Sequence, residues 1–155
     1  QNAPVYLVTL AEAQFAMAEA AKRGWIPGAD ATAKTNYDLA VTNSIVQWTG
    51  TNTGASVLLA LPTVIYNPAT AIKQMATQRW IHLFLHGYEG WAEWRRTGFP
   101  LLIAAPGANG NLIPRREGYP LIERSNNTNN YNAAVASFPY GGADDLNARV
   151  WWDKP

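Results

Sequence analysis

Cysteine is absent from the 155-residue chain, so no disulfide, thiolate metal site or cysteine nucleophile can be built. The redox compartment is left undecided by that absence. Charge is scarce as well: 12 lysines and arginines stand against 11 acids, a net charge of +1. A groove that tracks nucleic-acid phosphates needs a basic excess, so nucleic acid is not an expected partner. Long apolar runs are missing too. The longest, Ala55 to Pro62, falls far short of the roughly 20 residues a membrane-spanning helix requires. Gln1 opens the chain, and neither a basic nor an apolar signal segment follows it. The expectation is that the natural beginning, with any signal peptide, lies outside these residues.

What is present is a globular composition, 48% hydrophobic, at a length suited to one domain with a real core. Seven Trp and 7 Tyr sit on a background of 10 Pro and 12 Gly. That mixture suggests helices joined by ordered loops, with indole and phenol rings pinning the loops down.

Val5-Tyr6-Leu7-Val8 reads as an extended lead-in. Thr9 and Glu12 then have the spacing of a capping box, which satisfies two free N–H groups at a helix start. A helix is predicted from Leu10 to Arg23, with Lys22 and Arg23 at its negative end and Gly24 stopping it. A second helix is predicted from about Thr32 to Trp48, with Tyr37, Ala40, Val41, Ile45 and Trp48 in one stripe and Ser44 in register. Helix, Gly/Pro turn and helix make a hairpin about the size of a tetratricopeptide (TPR) unit. Thr49 to Asn67 reads as a connection, and Asn67-Pro68 as the start of a third and longest helix running towards Gly87. Gly87 and Gly90 are candidate break points, after which Tyr88 to Thr97 continues as a separate helix, closed by Gly98. From Leu101 to Pro155 no periodicity is sustained, so this tail is expected to wrap the helices. The expected fold is all-α: TPR-like hairpins, helical over residues 9–97, with a loop-rich C-terminal wrap over 98–155.

Several residue groups have chemical potential, each with a plainer reading beside it. Trp91, Trp94, Arg95 and Arg96 could make a sugar platform, since aromatic faces stack on pyranose rings and guanidinium forks pair with hydroxyls. Both indoles, however, share a face with the preceding core stripe. Packing is therefore the expected role, with the arginines bound to carbonyls or to a carboxylate such as Glu123. His82 and His86 have the i, i+4 spacing of metal ligands, but Leu83 stands where a zinc hydrolase keeps its glutamate, and the intervening Leu-Phe-Leu is core-like. Glu89 with Glu93, or Glu123 with Asp144 and Asp145, would need to flank a cleft to act as a glycosidase pair. Glu93 and Arg96 at i, i+3 are more simply a helix-surface ion pair. Asp144-Asp145-x-Asn147 lacks the alternation of a calcium loop and reads as a solvated turn. Asn126-Asn127-Thr128 matches a glycosylation sequon and Gly107 to Gly110 is glycine-rich; both read as turns. No catalytic residue, metal ligand or cofactor is expected.

The segment Trp91-Ala-Glu-Trp-Arg-Arg-Thr-Gly-Phe-Pro100 resembles the signature of the SusD/RagB family of outer-membrane nutrient-binding lipoproteins. Other segments resemble the family in the same order. They are Ala11-Glu12 through Glu19 leading to Arg23-Gly24-Trp25, then Gln78-Arg-Trp-Ile-His-Leu-Phe, then Ile113-Pro114-Arg115-Arg116 with Tyr119-Pro120 and Glu123. Asn130-Tyr131-Asn132, Gly141-Gly142 with Asp144, and Val150-Trp151-Trp152-Asp153 complete the set. The resemblance implies the last third of a longer, non-catalytic protein on the extracellular face of the outer membrane. Such a protein captures oligosaccharide or another nutrient for a SusC-like TonB-dependent transporter, and is held by a lipid anchor with no counterpart here. The ligand site is expected to lie mostly outside this chain. Trp91, Trp94, Arg95, Arg96, Pro114, Arg115, Arg116, Tyr119, Pro120, Trp151 and Trp152 are expected to carry the family signature in structural roles.

Overall fold

A computed structural model describes residues 5–107, 110, 112–139 and 143–153. Gly141-Gly142 and the middle of the Gly107 to Gly110 turn lie outside the described residues. Those described form seven helices and no strand, as the all-α expectation requires: α1 (Leu10–Lys22), α2 (Ala29–Thr49), α3 (Ala55–Leu59), α4 (Ala71–His82), α5 (Gly87–Thr97), α6 (Leu121–Asn126) and α7 (Thr128–Ala136). The chain divides into two units, Gln1–Pro100 and Leu101–Pro155.

In the first unit, α1 begins where the capping box predicts. Thr9 Oγ1 accepts from the Glu12 N–H, and the Thr9 N–H donates to Glu12 Oε2 at 2.8 Å. The turn to α2 needs Gly28, whose φ is +104° and where an added Cβ would lie 1.7 Å from Thr32 Oγ1. The α1–α2 hairpin then closes on small residues. Ala11, Ala18 and Ala21 meet Ala33 and Ala40, and this close approach buries Phe15, Tyr37 and Val41 together with Val64, Ala71 and Met75. Tyr37 keeps its hydroxyl satisfied by donating to the Val64 carbonyl at 2.7 Å, as a buried phenol must.

The connection expected over Thr49 to Asn67 contains the five-residue α3, formed from the apolar patch that begins at Ala55. Asn67 does not cap a helix directly: its side chain accepts from the Ala69 N–H in a local turn, and α4 starts at Ala71. The third helix is also shorter than expected. It stops at His82, where the Leu83 N–H returns to Arg79, and Leu85 takes a left-handed φ of +70°. A non-glycine residue adopts that conformation at a cost, and Leu85 bears it with its side chain largely exposed. Gly90, a candidate breaker, instead lies inside α5, where a Cβ would sit 3.7 Å from Trp80 Nε1.

The second unit holds two short helices inside the stretch read as loop. Neither α6 nor α7 buries a residue. Among the described residues no helix is long and apolar enough to cross a membrane.

Candidate functional site

The signature helix α5 turns Glu93 and Gly90 inward and places Arg96 at its last turn. Arg96 is the centre of a charged cluster. Its Nη1 and Nη2 donate to the two oxygens of Glu19 on α1, each at 2.7 Å, while Nε and Nη2 donate to Glu93 at 3.1 and 2.8 Å. Arg23 adds a bond to Glu19 at 2.7 Å, and Arg79 approaches Glu93 at 3.5 Å. The i, i+3 ion pair between Glu93 and Arg96 is present, with Glu93 buried and Arg96 exposed. Burial by itself would raise the Glu19 carboxyl, but the hydrogen bonds and charge of Arg96 and Arg23 hold it below its ordinary value. Beside this cluster the Arg95 guanidinium lies 3.7 Å from the centre of the half-buried Trp91 ring, covering one face of the indole. Trp94 is half-buried as well.

The second unit contains two further carboxylate hubs. Asp144 accepts from Arg116 Nη1 at 2.7 Å, from the Tyr119 N–H at 3.1 Å, and from Arg124 and the Tyr131 hydroxyl at 3.0 Å each. Burial pushes this carboxyl up, yet the Tyr119 N–H, Arg116, Tyr131 and Arg124 outweigh it and bring it to about 2. The solvated turn expected at Asp144 is thus a buried, saturated anion. Arg116 also lies against Tyr119 and Phe138, whose rings stack 6.0 Å apart. Asp153, fully buried, accepts from Arg115 through both its oxygens and from Arg149 at 2.9 Å. Glu123 accepts from Asn127, while Arg96 finds its carboxylates at Glu19 and Glu93, Arg116 at Asp144 and Arg115 at Asp153. Pro114 and Trp152 are half-buried, whereas Tyr119, Pro120 and especially Trp151 are exposed.

His82 and His86 do not share a helix. His82 ends α4 and is buried, while His86 precedes α5. Among the described residues no three His, Cys, Asp or Glu side chains gather where a metal ion could be held. Asp145 spends one oxygen on the Asn147 and Ala148 N–H groups. Apart from the i, i+3 pair of Glu93 and Arg96, the hubs were missed in the sequence because they join residues far apart, 77 positions for Arg96 and Glu19 and 38 for Arg115 and Asp153. The available signal was the pairing of Arg-rich and acidic motifs.

This is a helical-hairpin protein whose charged side chains are largely consumed in holding it together. Residues 1–120 match the family model SusD-like_2, described as starch-binding and associating with the outer membrane, and the chain belongs to that family. Solved structures agree. A SusD-like protein of Bacteroidetes, AC2a, aligns with a TM-score of 0.82 at 29% identity, covering 96% of this chain and 30% of its own. A chitin-binding protein aligns at 0.77 and 32% identity, covering 94% and 33%. A SusD homologue from Bacteroides uniformis aligns at 0.78 and 29% identity, covering 99% and 38%. The chain therefore spans about a third of the length of these relatives. No curated protein matches it significantly.

Proposed function

We propose that this chain is the C-terminal part of a non-catalytic glycan- or nutrient-binding lipoprotein on the extracellular face of the outer membrane. Residues 1–155 act as one family region, helical over 9–97 and loop-rich over 98–155. The whole protein passes its cargo to a SusC-like TonB-dependent transporter, and its lipid anchor lies outside this chain. The observation that carries the reading is the family match over residues 1–120. The absence of a reaction centre is supported by Glu19, Glu93, Asp144 and Asp153, whose oxygens are engaged by arginines. A glycosidase acid must be free to donate its proton and a nucleophile free to attack.

Titrating the purified chain with starch and chitin oligosaccharides while following tryptophan emission tests the proposal. Quenching or a spectral shift would place a binding site on this part. Release of reducing sugar would instead make it a hydrolase and end the reading.

A second reading, a scaffold that braces the receptor or docks the transporter, is favoured by the covered face of Trp91. Silence across the glycan panel supports it. On this reading Trp91→Ala lowers unfolding stability by about 2 kcal/mol, less than a fully buried indole would cost, and leaves any glycan response unchanged. A variant that melts normally but loses a glycan response would make Trp91 a ligand residue.

A further inference from the structure

His82 is 2% exposed and stands where three helices meet. Its Nε2 lies 2.7 Å from Thr9 Oγ1, the N-cap of α1, and its Nδ1 lies 2.9 Å from Ser44 Oγ on α2. The rings of Phe15 and Trp48 flank it, and Trp48 Nε1 donates to its carbonyl at 3.1 Å. Trp48 in turn packs edge-on against Tyr6 and Phe84. One ring thus ties the start of α1, the middle of α2 and the end of α4 to an aromatic corner.

The hydroxyls distinguish the two charge states of that ring. Thr9 Oγ1 already accepts the capping N–H of Glu12. A neutral imidazole then fits both partners, accepting a hydrogen bond from the Thr9 hydroxyl at Nε2 and donating Nδ1–H to Ser44. A protonated ring donates at both nitrogens, so the Thr9 hydroxyl must accept twice and its own proton loses the acceptor it had in Nε2. We propose that His82 is a pH-sensitive latch, closed as a neutral ring and released by protonation, which loosens the Tyr6–Trp48–Phe84 corner and the start of α1.

The neighbouring charges point the same way. Burial is the largest influence and disfavours the cation; Glu12 on α1 favours it, while His86 before α5 and Arg79 on α4 oppose it. From α2 the groups in contact are Ser44 and Trp48, both uncharged. The folded chain therefore holds His82 below its ordinary 6.5. The neutral ring's contribution is complete above 6.5 and is lost as pH falls through the lower folded value, by up to about tenfold in the folding constant per pH unit.

The test compares unfolding of the parent chain and of His82→Gln and His86→Gln between pH 7.5 and 5. The parent and His86→Gln should lose several-fold more of their folding constant on acidification than His82→Gln. If His82→Gln fails to fold, the imidazole proton resonances of the parent, assigned with His86→Gln, decide: His82 must titrate below 6.5. Equal pH dependence in all three chains, or a His82 midpoint at or above 6.5, overturns the proposal.

Discussion

The two units are held by different means. Residues up to Pro100 enclose an alanine-lined core around Phe15, Tyr37 and Met75, whereas beyond Leu101 Ala148 alone among the described residues is a buried hydrophobic side chain. There two aspartates hold the chain: Asp144 gathers Arg116, Arg124, Tyr119 and Tyr131, and Asp153 gathers Arg115 and Arg149. Apolar burial is non-directional and tolerates small shifts, while a saturated carboxylate fixes each donor at one distance and angle. The comparison teaches that a segment without helical periodicity can still be specified, by polar convergence in place of a buried stripe.

The largest effect expected from breaking that contrast is in the first unit. Phe15→Ala should cost about 3–5 kcal/mol in urea unfolding, the range for truncating a buried aromatic. In the second unit Asp144→Ala leaves Arg116 buried without its anion, since both side chains are nearly inaccessible. A loss of about 3 kcal/mol follows from orphaning a buried charge, and faster amide exchange in α6 and α7 should reveal it. Thr9→Ala removes the α1 cap and should cost about 1–2 kcal/mol by thermal unfolding. A last contrast separates the units by acid. Asp144 sits near 2 against an ordinary 3.8, so its contribution is complete above 3.8 and is lost as pH falls towards 2. Amide exchange followed down in pH should therefore disturb the α1 cap near His82 before α6 and α7. Simultaneous loss would erase the distinction.

Legibility from sequence followed the same division. The capping box at Thr9 and Glu12, the end of α1 near Gly24 and the α1–α2 hairpin could all be read, because each rests on neighbours in sequence or on a full amphipathic period. The five-residue α3 and six-residue α6 are too short to display one. The break after His82 escaped because Leu85 takes a left-handed conformation that leucine does not signal by residue type. The signature residues were recognised as a family pattern, and Trp91, expected to pack, is half-buried with Arg95 against its ring. Of their carboxylate partners only Glu93 could be read, from its i, i+3 spacing to Arg96; Glu19, Asp144 and Asp153 could not, since no spacing rule links residues so far apart in the chain.

Arg96 has one plane and two usable edges, and both are occupied: Glu19 takes the outer edge and Glu93 the inner one. A slip of α5 by a single residue would swing that plane by roughly 100° and lose Glu19, while Glu93, three residues back on the same helix, would turn with it. Lysine, a point charge without a plane, could not grip the two acids in this way. Exchanging the ion types would fail too, because a lone carboxylate cannot reproduce a rigid fork. The side chain therefore works as an alignment pin, setting the rotation of one helix against another laid down 77 residues earlier.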